Sequence, residues 1–320
     1  MNFYFAPMEG LTGYIYRNAH NSYFNNIDKY FSPFISTNQG GNLKTGELND
    51  ILPENNQGLV LIPQLLTNNA KDFIRFSKKI KLLGYKEINL NLGCPFGTVV
   101  SKNKGAGFLA KTKELDLFLD EIFSESVMKI SIKTRLGKNQ PEEFYELIEI
   151  FNKYPLEELI IHPRIQKDFY KNKPDLKIFR EALIVSKNPV CYNGDIFTIK
   201  DYKEFSASFP GVGSLMLGRG LLANPGLLKD IKNNIKIDKN LLKEFHDKLY
   251  NDYKKVLFGE VNVLYRMKGL WGYMISVFSD NEKYAKKIKK SVRLHDYDEV
   301  ISSLFREQNV LENYEKNLVF

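Results

Sequence analysis

Short apolar runs alternate with amphipathic stretches from the start of the sequence to about residue 235, and this alternation constrains the fold more than any other feature of the chain. The apolar runs predict strands at Phe3–Ala6, Tyr30–Ser36, Val60–Leu65, Glu87–Leu92, Lys129–Thr134, Glu158–His162, Val190–Asn193 and Ser214–Leu217. The stretches between most of them predict helices at Gly13–Phe24, Ala70–Leu83, Lys113–Phe123, Glu142–Tyr154, Asp175–Ser186 and Thr198–Phe205. Strands that alternate with helices are typical of a parallel sheet in an α/β protein.

Eight strands with helical crossovers predict a closed (β/α)8 TIM barrel, and the alternative is an open, doubly wound sheet. The open sheet is disfavoured because APMEG at 6–10 follows the first strand, where dinucleotide-binding sheets carry G-x-G-x-x-G. The segment Leu43–Asn56, after the second strand, is interpreted as a loop rather than a helix. The barrel is therefore the predicted fold.

The pattern changes near residue 233, after which no strand-like alternation follows. Ile237–Phe258, Val263–Phe278 and Asn281–Phe305 have helical periodicity and carry many Lys, Arg and Tyr residues. We therefore predict a catalytic barrel at 1–236, a small helical domain at 237–310 and a frayed tail at 311–320.

Composition and charge say more about the cellular environment of the protein than about its activity. Lys and Arg exceed Asp and Glu by 46 to 38, a net charge of +8 that only weakly favours a polyanionic partner. Two cysteines, Cys94 and Cys191, form no disulfide framework, which favours a reducing cytoplasm. The N-terminus lacks the features of a signal peptide, and no apolar stretch approaches the roughly 18–20 residues that cross a bilayer. We expect a cytoplasmic, monomeric protein without membrane contact.

Metal chemistry is not indicated by the sequence. Four histidines and two cysteines occur without the spacing of metal ligands, and no Walker loop or G-x-S-x-G is present. We therefore expect no metal site.

The stretch Glu87–Leu109 combines a strand with a possible reactive group. The predicted strand ends at Gly93-Cys94-Pro95, and a glycine-rich GAG follows at 105–107. A thiol at a strand end, on a loop that glycines allow to bend, is typical of a catalytic cysteine on a lid. A buried structural cysteine explains this stretch alone equally well.

Seven of the eight predicted strands, that of Cys94 included, carry a polar residue, a proline or a glycine where the apolar run ends. In a (β/α)8 barrel the loops at the carboxyl ends of the strands build the active site. These strand ends carry Pro7, Met8, Gln64, Asn91, Lys133, His162, Asn193, Gly194, Asp195, Gly218 and Arg219. Each residue alone has a structural explanation, such as a solvated strand end. Their occurrence around one predicted rim favours a binding site.

The residue types at the rim indicate a flavin mononucleotide. Gly218-Arg219-Gly220 offers backbone N–H groups and a guanidinium, which suit a phosphate. Asn193-Gly194-Asp195 allows a close backbone approach and a carboxylate for sugar hydroxyls. Lys133 places a positive charge beside an electron-rich ring, and Gln64 can bond to ring heteroatoms. We therefore predict FMN across the barrel mouth.

Taken together, the motifs resemble the tRNA-dihydrouridine synthase family. They run in order through the whole barrel and comprise APMEGLT at 6–12, NLNLGCP at 89–95, GAG at 105–107, KTRLG at 133–137, IHPR at 161–164, NGDI at 193–196 and GRGLLANP at 218–225. The resemblance implies an FMN-containing barrel that uses NADPH to reduce uridines in tRNA. It also implies that the strand-end residues bind FMN, namely Pro7, Met8, Gln64, Lys133, His162, Asn193, Gly194, Asp195, Gly218 and Arg219.

The resemblance further implies a role for three residues in catalysis and substrate binding. Hydride passes from flavin N5 to C6 of the uracil, and Cys94 protonates C5. A thiol with a pKa of about 8.5 stays mostly protonated near neutrality and suits this role. Asn91 and Tyr170 are implied to contact the target base or the RNA. Two departures are Pro163, where the family often has Gly or Ala, and Leu43–Asn56, which has no matched counterpart.

The helical region resembles the RNA-binding domain of the same family. Arg266 and Lys268 lie in YRMKGLWGY at 265–273, which is similar to an RNA-contacting segment, and Arg293 is a further candidate. The lysine run at 286–290 is explained equally well as a solvated surface. The cations are interspersed with Tyr253, Tyr265, Tyr284 and Trp271, and cations beside aromatic rings suit phosphates and unstacked bases.

Three other functions are alternatives to uridine reduction in tRNA. A small-molecule flavin oxidoreductase of the dihydroorotate or dihydropyrimidine type explains the strand ends but not a basic helical domain. A non-catalytic RNA-binding protein explains the basic domain but not the flavin residues with Cys94. Dihydrouridine synthesis on ribosomal RNA is compatible with all of these features.

Overall fold

The computed structural model describes residues 1–36, 44–235, 237–311 and 314. Its strands are β1 Asn2–Phe5, β2 Lys29–Phe31, β3 Leu61–Ile62, β4 Gln64–Leu65, β5 Glu87–Leu92, β6 Lys129–Gly137, β7 Leu159–Ile165, β8 Val190–Tyr192 and β9 Ser214–Leu217. Its helices are α1 Tyr14–Phe24, α2 Thr45–Ile51, α3 Ala70–Leu82, α4 Gly97–Val100, α5 Thr112–Ser124, α6 Glu143–Phe151, α7 Leu176–Val185, α8 Ile199–Ser208, α9 Arg219–Ala223, α10 Leu227–Asn233, α11 Lys239–Val256, α12 Glu260–Met274, α13 Asn281–Lys290 and α14 Leu294–Glu307.

The strands form a parallel (β/α)8 barrel, which confirms the predicted fold. The sheet runs β3-β2-β1-β9-β8-β7-β6-β5-β4, and β3 and β4 are two halves of one barrel strand. They are separated by Pro63, which has no N–H to donate to the ladder. The first half pairs with β2 and the second with β5, while the Pro63 carbonyl accepts from the Asn89 amide at 2.9 Å. This strand therefore closes the barrel.

One layer of the barrel interior is a tight apolar cluster. Successive side chains of a strand point to opposite faces, so every second residue faces inward. The buried cluster contains residues from six strands, namely Tyr4, Ala6, Phe31, Ile62, Ile160, Cys191 and Met216. This layer fills the barrel and supports the side chains that lie nearer the carboxyl ends of the strands.

Short polar side chains cap the N-termini of several helices. Asn69 accepts a hydrogen bond from the Asp72 amide at 2.9 Å and caps α3. Asp175 accepts from two amides of α7, and Asp238 caps α11 in the same way. Capping of this kind contributes about 1 kcal/mol per helix.

Several segments differ from the sequence prediction. The strand predicted at Tyr30–Ser36 is shorter, since β2 ends at Phe31 and Ile35 adds only an isolated bridge to Leu65. The predicted loop 43–56 contains helix α2 at Thr45–Ile51, whose one buried residue is Ile51. The single helix predicted over 281–305 is two helices, and residues 291–293 between them leave the helical conformation. Strand β6 extends to Gly137, with a register shift between Arg135 and Gly137. Residue 43 of the predicted loop and most of the predicted tail 311–320 lie outside the described residues.

The chain forms two compact units. The first comprises Met1–Pro7, Asp28–Gly194 and Phe209–Met216, and the second comprises Met8–Ile27, Asp195–Ser208 and the chain from Leu217 onwards. The second unit thus adds two barrel segments to the C-terminal helices, whereas the predicted domain boundary lay at 236. That boundary stays a prediction.

The second unit is helical and has an aromatic core. The Phe245 ring of α11 lies between 5.5 and 6.5 Å from the rings of Tyr16, His20, Tyr23 and Phe24. Elsewhere in the unit, the Tyr297 hydroxyl lies 2.7 Å from both His246 Nε2 and Trp271 Nε1. Among the residues described, no helix is long and apolar enough to cross a membrane.

Candidate active site

A polar layer lies in the barrel of the first unit, beyond the apolar cluster. Gln64, His162 and Asn193 each stand two positions after a residue of that cluster and so face the same side of the sheet. Asn91 and Lys133 are direct partners in the pairing of β5 with β6. These five predicted site residues therefore come together at the carboxyl ends of their strands.

Four of the polar side chains form a hydrogen-bonded row across three strands. Asn89 donates to the Ser131 hydroxyl at 2.9 Å, and Gln64 Nε2 donates to Asn89 Oδ1 at 2.7 Å. Gln64 Oε1 in turn accepts from Asn91 Nδ2 at 2.7 Å. Because all four residues are buried, the row fixes the amide orientations of Gln64 and Asn91.

The Asn91 carboxamide also holds the loop that carries Cys94. Its Oδ1 atom accepts from the amides of Gly93 at 3.0 Å and Cys94 at 2.9 Å. The Cys94 carbonyl accepts from the Ala106 amide at 3.0 Å. Cys94 itself is buried, with 7% of its surface exposed. The structure gives Asn91 a role in positioning the Cys94 loop, and its predicted contact with the substrate stays a prediction.

The glycines of the GAG segment are required by close packing. Gly105 has φ +55°, and a Cβ there would lie 2.8 Å from the Cys94 carbonyl oxygen. A Cβ on Gly107 would lie 2.7 Å from the Val100 carbonyl oxygen. A side chain at either position would displace the loop that holds Cys94, so these glycines serve close backbone approach.

Lys133 is a cation that pairs with no acceptor in the part of the chain that the structure describes. Among the described residues, its ammonium has no hydrogen-bond acceptor and no ion pair. Burial, and secondarily the nearby Arg135 guanidinium, lower the Lys133 pKa from 10.5 to about 7. An unpartnered ammonium of this kind fits an anionic or electron-rich ligand.

His162 is oriented by a neighbouring guanidinium. Arg164 Nη1 lies 3.0 Å from His162 Nε2, and because a guanidinium can only donate, Nε2 is the acceptor of this hydrogen bond. The ring of Tyr170 lies 6.0 Å from that of His162, centroid to centroid. Pro163 does not remove Tyr170 from the neighbourhood of His162.

Arg135 is a site residue that sequence reasoning missed. Its guanidinium donates to the carbonyls of Gly93 at 2.9 Å, Ile165 at 2.8 Å and Phe169 at 2.9 Å. It also lies over the Tyr170 ring, 5.7 Å from the centroid. Burial lowers the Arg135 pKa to about 10, so the group stays charged. The KTRLG motif contained this residue, but the strand pattern gave no sign that it joins two loops.

Asn193 and Gly194 complete the residues of the first unit. Asn193 Nδ2 donates to the Met216 carbonyl at 2.8 Å and so connects β8 to β9. A Cβ on Gly194 would overlap the Tyr192 hydroxyl, so this position admits only glycine without rearrangement. Pro7, at the end of β1, is half-buried.

In the second unit, Asp195 and Arg219 already form an ion pair. Arg219 Nη2 lies 2.5 Å from Asp195 Oδ1, and the guanidinium lies 5.3 Å from the centre of the Phe197 ring. The Asp195 carboxylate was predicted to hold sugar hydroxyls, and here it bonds to Arg219. Gly218 comes directly before α9, and its carbonyl accepts from the amides of Leu221 and Leu222. Met8 bonds to Thr12 through its backbone.

The predicted RNA-binding residues have structural contacts within the second unit. Arg266 donates to the Gly10 carbonyl, and Lys268 donates to the carbonyls of Lys289 and Ser291 at the end of α13. Arg293 is exposed and precedes α14. RNA contacts by these three residues stay predictions.

The aromatic part of that RNA-binding prediction is wrong for most of the residues named. Tyr284 and Trp271 are fully buried, and Tyr253 is 5% exposed, because they face the helical core. Tyr265, at 73% exposed, is the exception. The lysines of α13 occupy its outer face, which leaves both explanations of that run open.

The fold and its strand-end side chains define a barrel enzyme whose cysteine lies after the fourth barrel strand. Among the described residues, no group of three or more His, Cys, Asp or Glu side chains is arranged to hold a metal ion. The family model described as Dihydrouridine synthase (Dus) matches residues 4–318, and the chain belongs to this family. The predicted family and enzyme class are thereby confirmed.

Curated relatives are consistent with this membership. A "Probable tRNA-dihydrouridine synthase" of Staphylococcus aureus (strain COL) is 26% identical over 265 residues, which cover 79% of this chain and 78% of that protein. The "tRNA-dihydrouridine(16) synthase" of Pasteurella multocida (strain Pm70) is 33% identical over 181 residues, 54% of each chain.

Solved structures show similarity of fold. Morphinone reductase in complex with tetrahydroNAD matches with a TM-score of 0.53 at 10% identity, covering 74% of this chain and 88% of that one. Histamine dehydrogenase from Rhizobium sp. 4-9 matches with a TM-score of 0.54 at 11% identity, covering 79% of this chain and 48% of that one.

Proposed function

We propose that the protein reduces uridine to 5,6-dihydrouridine in tRNA, with bound FMN and with NADPH as the reductant. Family membership supports the reaction, and the names of the staphylococcal and Pasteurella relatives support tRNA as the substrate. The observation that carries the proposal is the buried Cys94, whose backbone is fixed by Asn91 beside the unpartnered Lys133.

The polar layer of the first unit fits FMN. Lys133 offers an unshared positive charge, and Gln64 keeps one N–H that its two hydrogen bonds do not use. Together with His162, Asn193, Gly194 and Pro7, these residues are the proposed FMN contacts in this unit. Met8, Asp195, Gly218 and Arg219 belong to the second unit, and for them FMN binding rests on the family resemblance alone. When bound, FMN supplies the hydride, taken from NADPH, for C6 of the uracil.

Cys94 is the proposed acid. Addition of hydride at C6 leaves negative charge at C5 and the C4 carbonyl, and a proton at C5 completes the reduction. The Cys94 thiol carries that proton, and the paired amide bonds to Asn91 hold the residue in place for its delivery. Tyr170, whose ring is tilted against that of His162 and lies under the Arg135 guanidinium, is the proposed contact for the inserted base.

Cys94→Ala tests the assignment. The variant should bind FMN, accept electrons from NADPH and bind tRNA, but reoxidation of pre-reduced enzyme by tRNA should slow by about 10²–10⁴-fold, the usual contribution of a general acid. Cys94→Ser should recover little, because a serine hydroxyl is a much weaker acid than a thiol. The measurement is single-turnover flavin reoxidation with tRNA from cells that lack the protein.

Cys191→Ala is the matched control. This cysteine is fully buried in β8, and burial raises the pKa of its thiol, so it stays protonated within the core. Its replacement should alter stability and leave the reoxidation rate unchanged. Reoxidation of Cys94→Ala at the wild-type rate would show that the proton has another source. A colourless wild-type protein that FMN does not reconstitute would contradict the cofactor.

A further inference from the structure

Two exposed aromatic rings contact each other beside the Cys94 loop. Phe96 is 55% exposed and Phe169 is 37% exposed, and their ring centroids lie 6.2 Å apart at an interplanar angle of 71°. Phe96 follows Cys94 by two positions, and Phe169 directly precedes Tyr170. The pair therefore joins the loop of the proposed acid to the loop of the proposed base contact.

The structure holds this pair in place at a conformational cost. Phe169 has φ +50°, a backbone conformation that bulky residues rarely adopt. Its carbonyl accepts from Arg135, and Gln166 Nε2 donates to the Pro95 carbonyl at 2.7 Å, which joins the two loops again. The left-handed backbone at Phe169 holds a ring that stays 37% exposed, so burial in the core does not by itself account for this conformation.

Exposed lysines flank Phe169 along the chain. Lys167, Lys171 and Lys173 are exposed and flank Phe169, and none of them forms an ion pair among the described residues. The nearby carboxylate, Asp168, accepts from the Ile165 amide and from Asn172. Exposed aromatic faces between unpaired lysines match a single-stranded nucleic acid, which offers bases for stacking and phosphates for the cations.

We propose that Phe96 and Phe169 form a stacking platform for an unpaired base adjacent to the target uridine, with Lys167, Lys171 and Lys173 on the flanking phosphates. The inference rests on the proposed function and adds a subsite to it. A second copy of the chain is a poorer occupant, because a self-complementary contact would bring the same lysines together. Because the two rings meet edge to face, a single base can stack on one ring while it contacts the other.

The test compares aromatic with aliphatic replacements in the flavin-loaded enzyme. Phe96→Leu and Phe169→Leu should each weaken binding of tRNA from cells lacking the protein by roughly 5- to 150-fold, the range of one base–aromatic stack. Phe96→Tyr and Phe169→Tyr should keep the wild-type affinity, since they retain the ring. The double Leu variant should lose less than the product of the single losses, because both rings serve one base.

Leu117→Ala is the matched control. Leu117 is 71% exposed on α5 of the same unit and is not part of the platform, so tRNA affinity should not change. Flavin content and reduction by NADPH should stay at wild-type levels in every variant, which shows that the barrel is folded. Replacing the three lysines with Ala should flatten the dependence of log affinity on log salt by about 0.7 for each phosphate that a lysine no longer neutralises.

Each result decides the proposal. Equal losses for Leu and Tyr replacements, or wild-type affinity for both Leu variants, would overturn the platform while leaving the proposed function intact. Wild-type tRNA affinity in the Leu variants, together with weaker self-association on sedimentation, would identify an interface between copies instead. A wild-type enzyme that forms no dihydrouridine in any RNA would overturn the proposed function, and the platform with it.

Discussion

The two ends of the barrel interior hold their charges in different ways. At the amino-terminal end, Lys29 Nζ lies 2.7 Å from Glu87 Oε2, and the Tyr4 hydroxyl lies 3.3 Å from Glu158 Oε1. At the carboxyl end, Lys133 lies near Arg135, and both pKa values are lowered by burial. At the amino-terminal end a cation lies beside carboxylates, whereas at the carboxyl end two cations lie near each other.

This difference separates charges that support the fold from charges kept for a ligand. Lys29 acts on the charge of Glu158 as well as bonding to Glu87, so one cation serves two acids. Lys133 has no such acid among the described residues, and its burial costs free energy until an anionic group arrives. Substitution of a cation should therefore have opposite effects on stability at the two ends.

Lys133→Met should give the largest effect, an increase in the free energy of unfolding of the flavin-free protein by about 2–5 kcal/mol at pH 6. The upper value follows from the displacement of the Lys133 pKa from 10.5 to about 7, and solvent screening of this half-buried residue reduces it. Denaturant unfolding measures the stability, and the variant should also purify without flavin.

The pH dependence of that difference is fixed in sign. Below pH 7 the buried ammonium is charged in the folded protein, and its full cost is present. As the pH rises from 7 towards 10.5, the folded state loses the proton before the unfolded state does, so the wild type gains stability and approaches Lys133→Met. A difference that grows over this range would contradict a lowered Lys133 pKa.

Lys29→Met should have the opposite effect, a loss of about 2 kcal/mol at neutral pH, because Glu87 and Glu158 then lose their counter-charge. The loss is smaller than for a fully buried pair, since Lys29 is 22% exposed. Flavin content should be retained. Thermal and denaturant unfolding beside Lys133→Met measure the contrast, and a gain in stability would remove the distinction between the two ends.

Tyr4→Phe should give the smallest effect, a loss of about 1 kcal/mol, the usual contribution of one hydrogen bond. Burial raises the pKa of Glu158, so its stabilising contribution is present at acid pH and is lost as the pH rises through that pKa. Without the Tyr4 hydroxyl this loss should be steeper. The cost of Tyr4→Phe at pH 8 should therefore exceed its cost at pH 5, as equilibrium unfolding at the two pH values would show.

The fold was predictable because apolar residues recur with different periods in strands and in helices, and the barrel repeats the strand–helix unit along the chain. Strand β5 was predicted with its observed bounds, since a run of six buried residues ends at a glycine. The break at Pro63 and helix α2 were missed for local reasons. Pro63 divides one strand because the residues before it pair with β2 and those after it pair with β5, and this pairing is not visible in the local sequence. Helix α2 buries a single residue and so lacks the apolar pattern of a helix.

The site was predictable as residue types but not as contacts. Strand-end positions identified Lys133, Asn91 and Cys94, since alternation alone places them at one end of the barrel. The pairing of Arg219 with Asp195 and the burial of Trp271 depend on segments far apart in the chain or on helix packing. Likewise, nothing in the local pattern of β6 indicates that Arg135 reaches loops 42 and 34 residues away.

Arg135 also limits how this enzyme can be re-engineered or can diverge. Loops of a (β/α)8 barrel are commonly exchanged one at a time, because each is supported by its own strand. Here a single guanidinium serves carbonyls in the loops after β5 and after β7, and Gln166 adds a second tie through Pro95. A graft of either loop alone would remove carbonyl acceptors and leave N–H donors of Arg135 without partners. The two loops are therefore one module, to be transplanted or randomised as a pair.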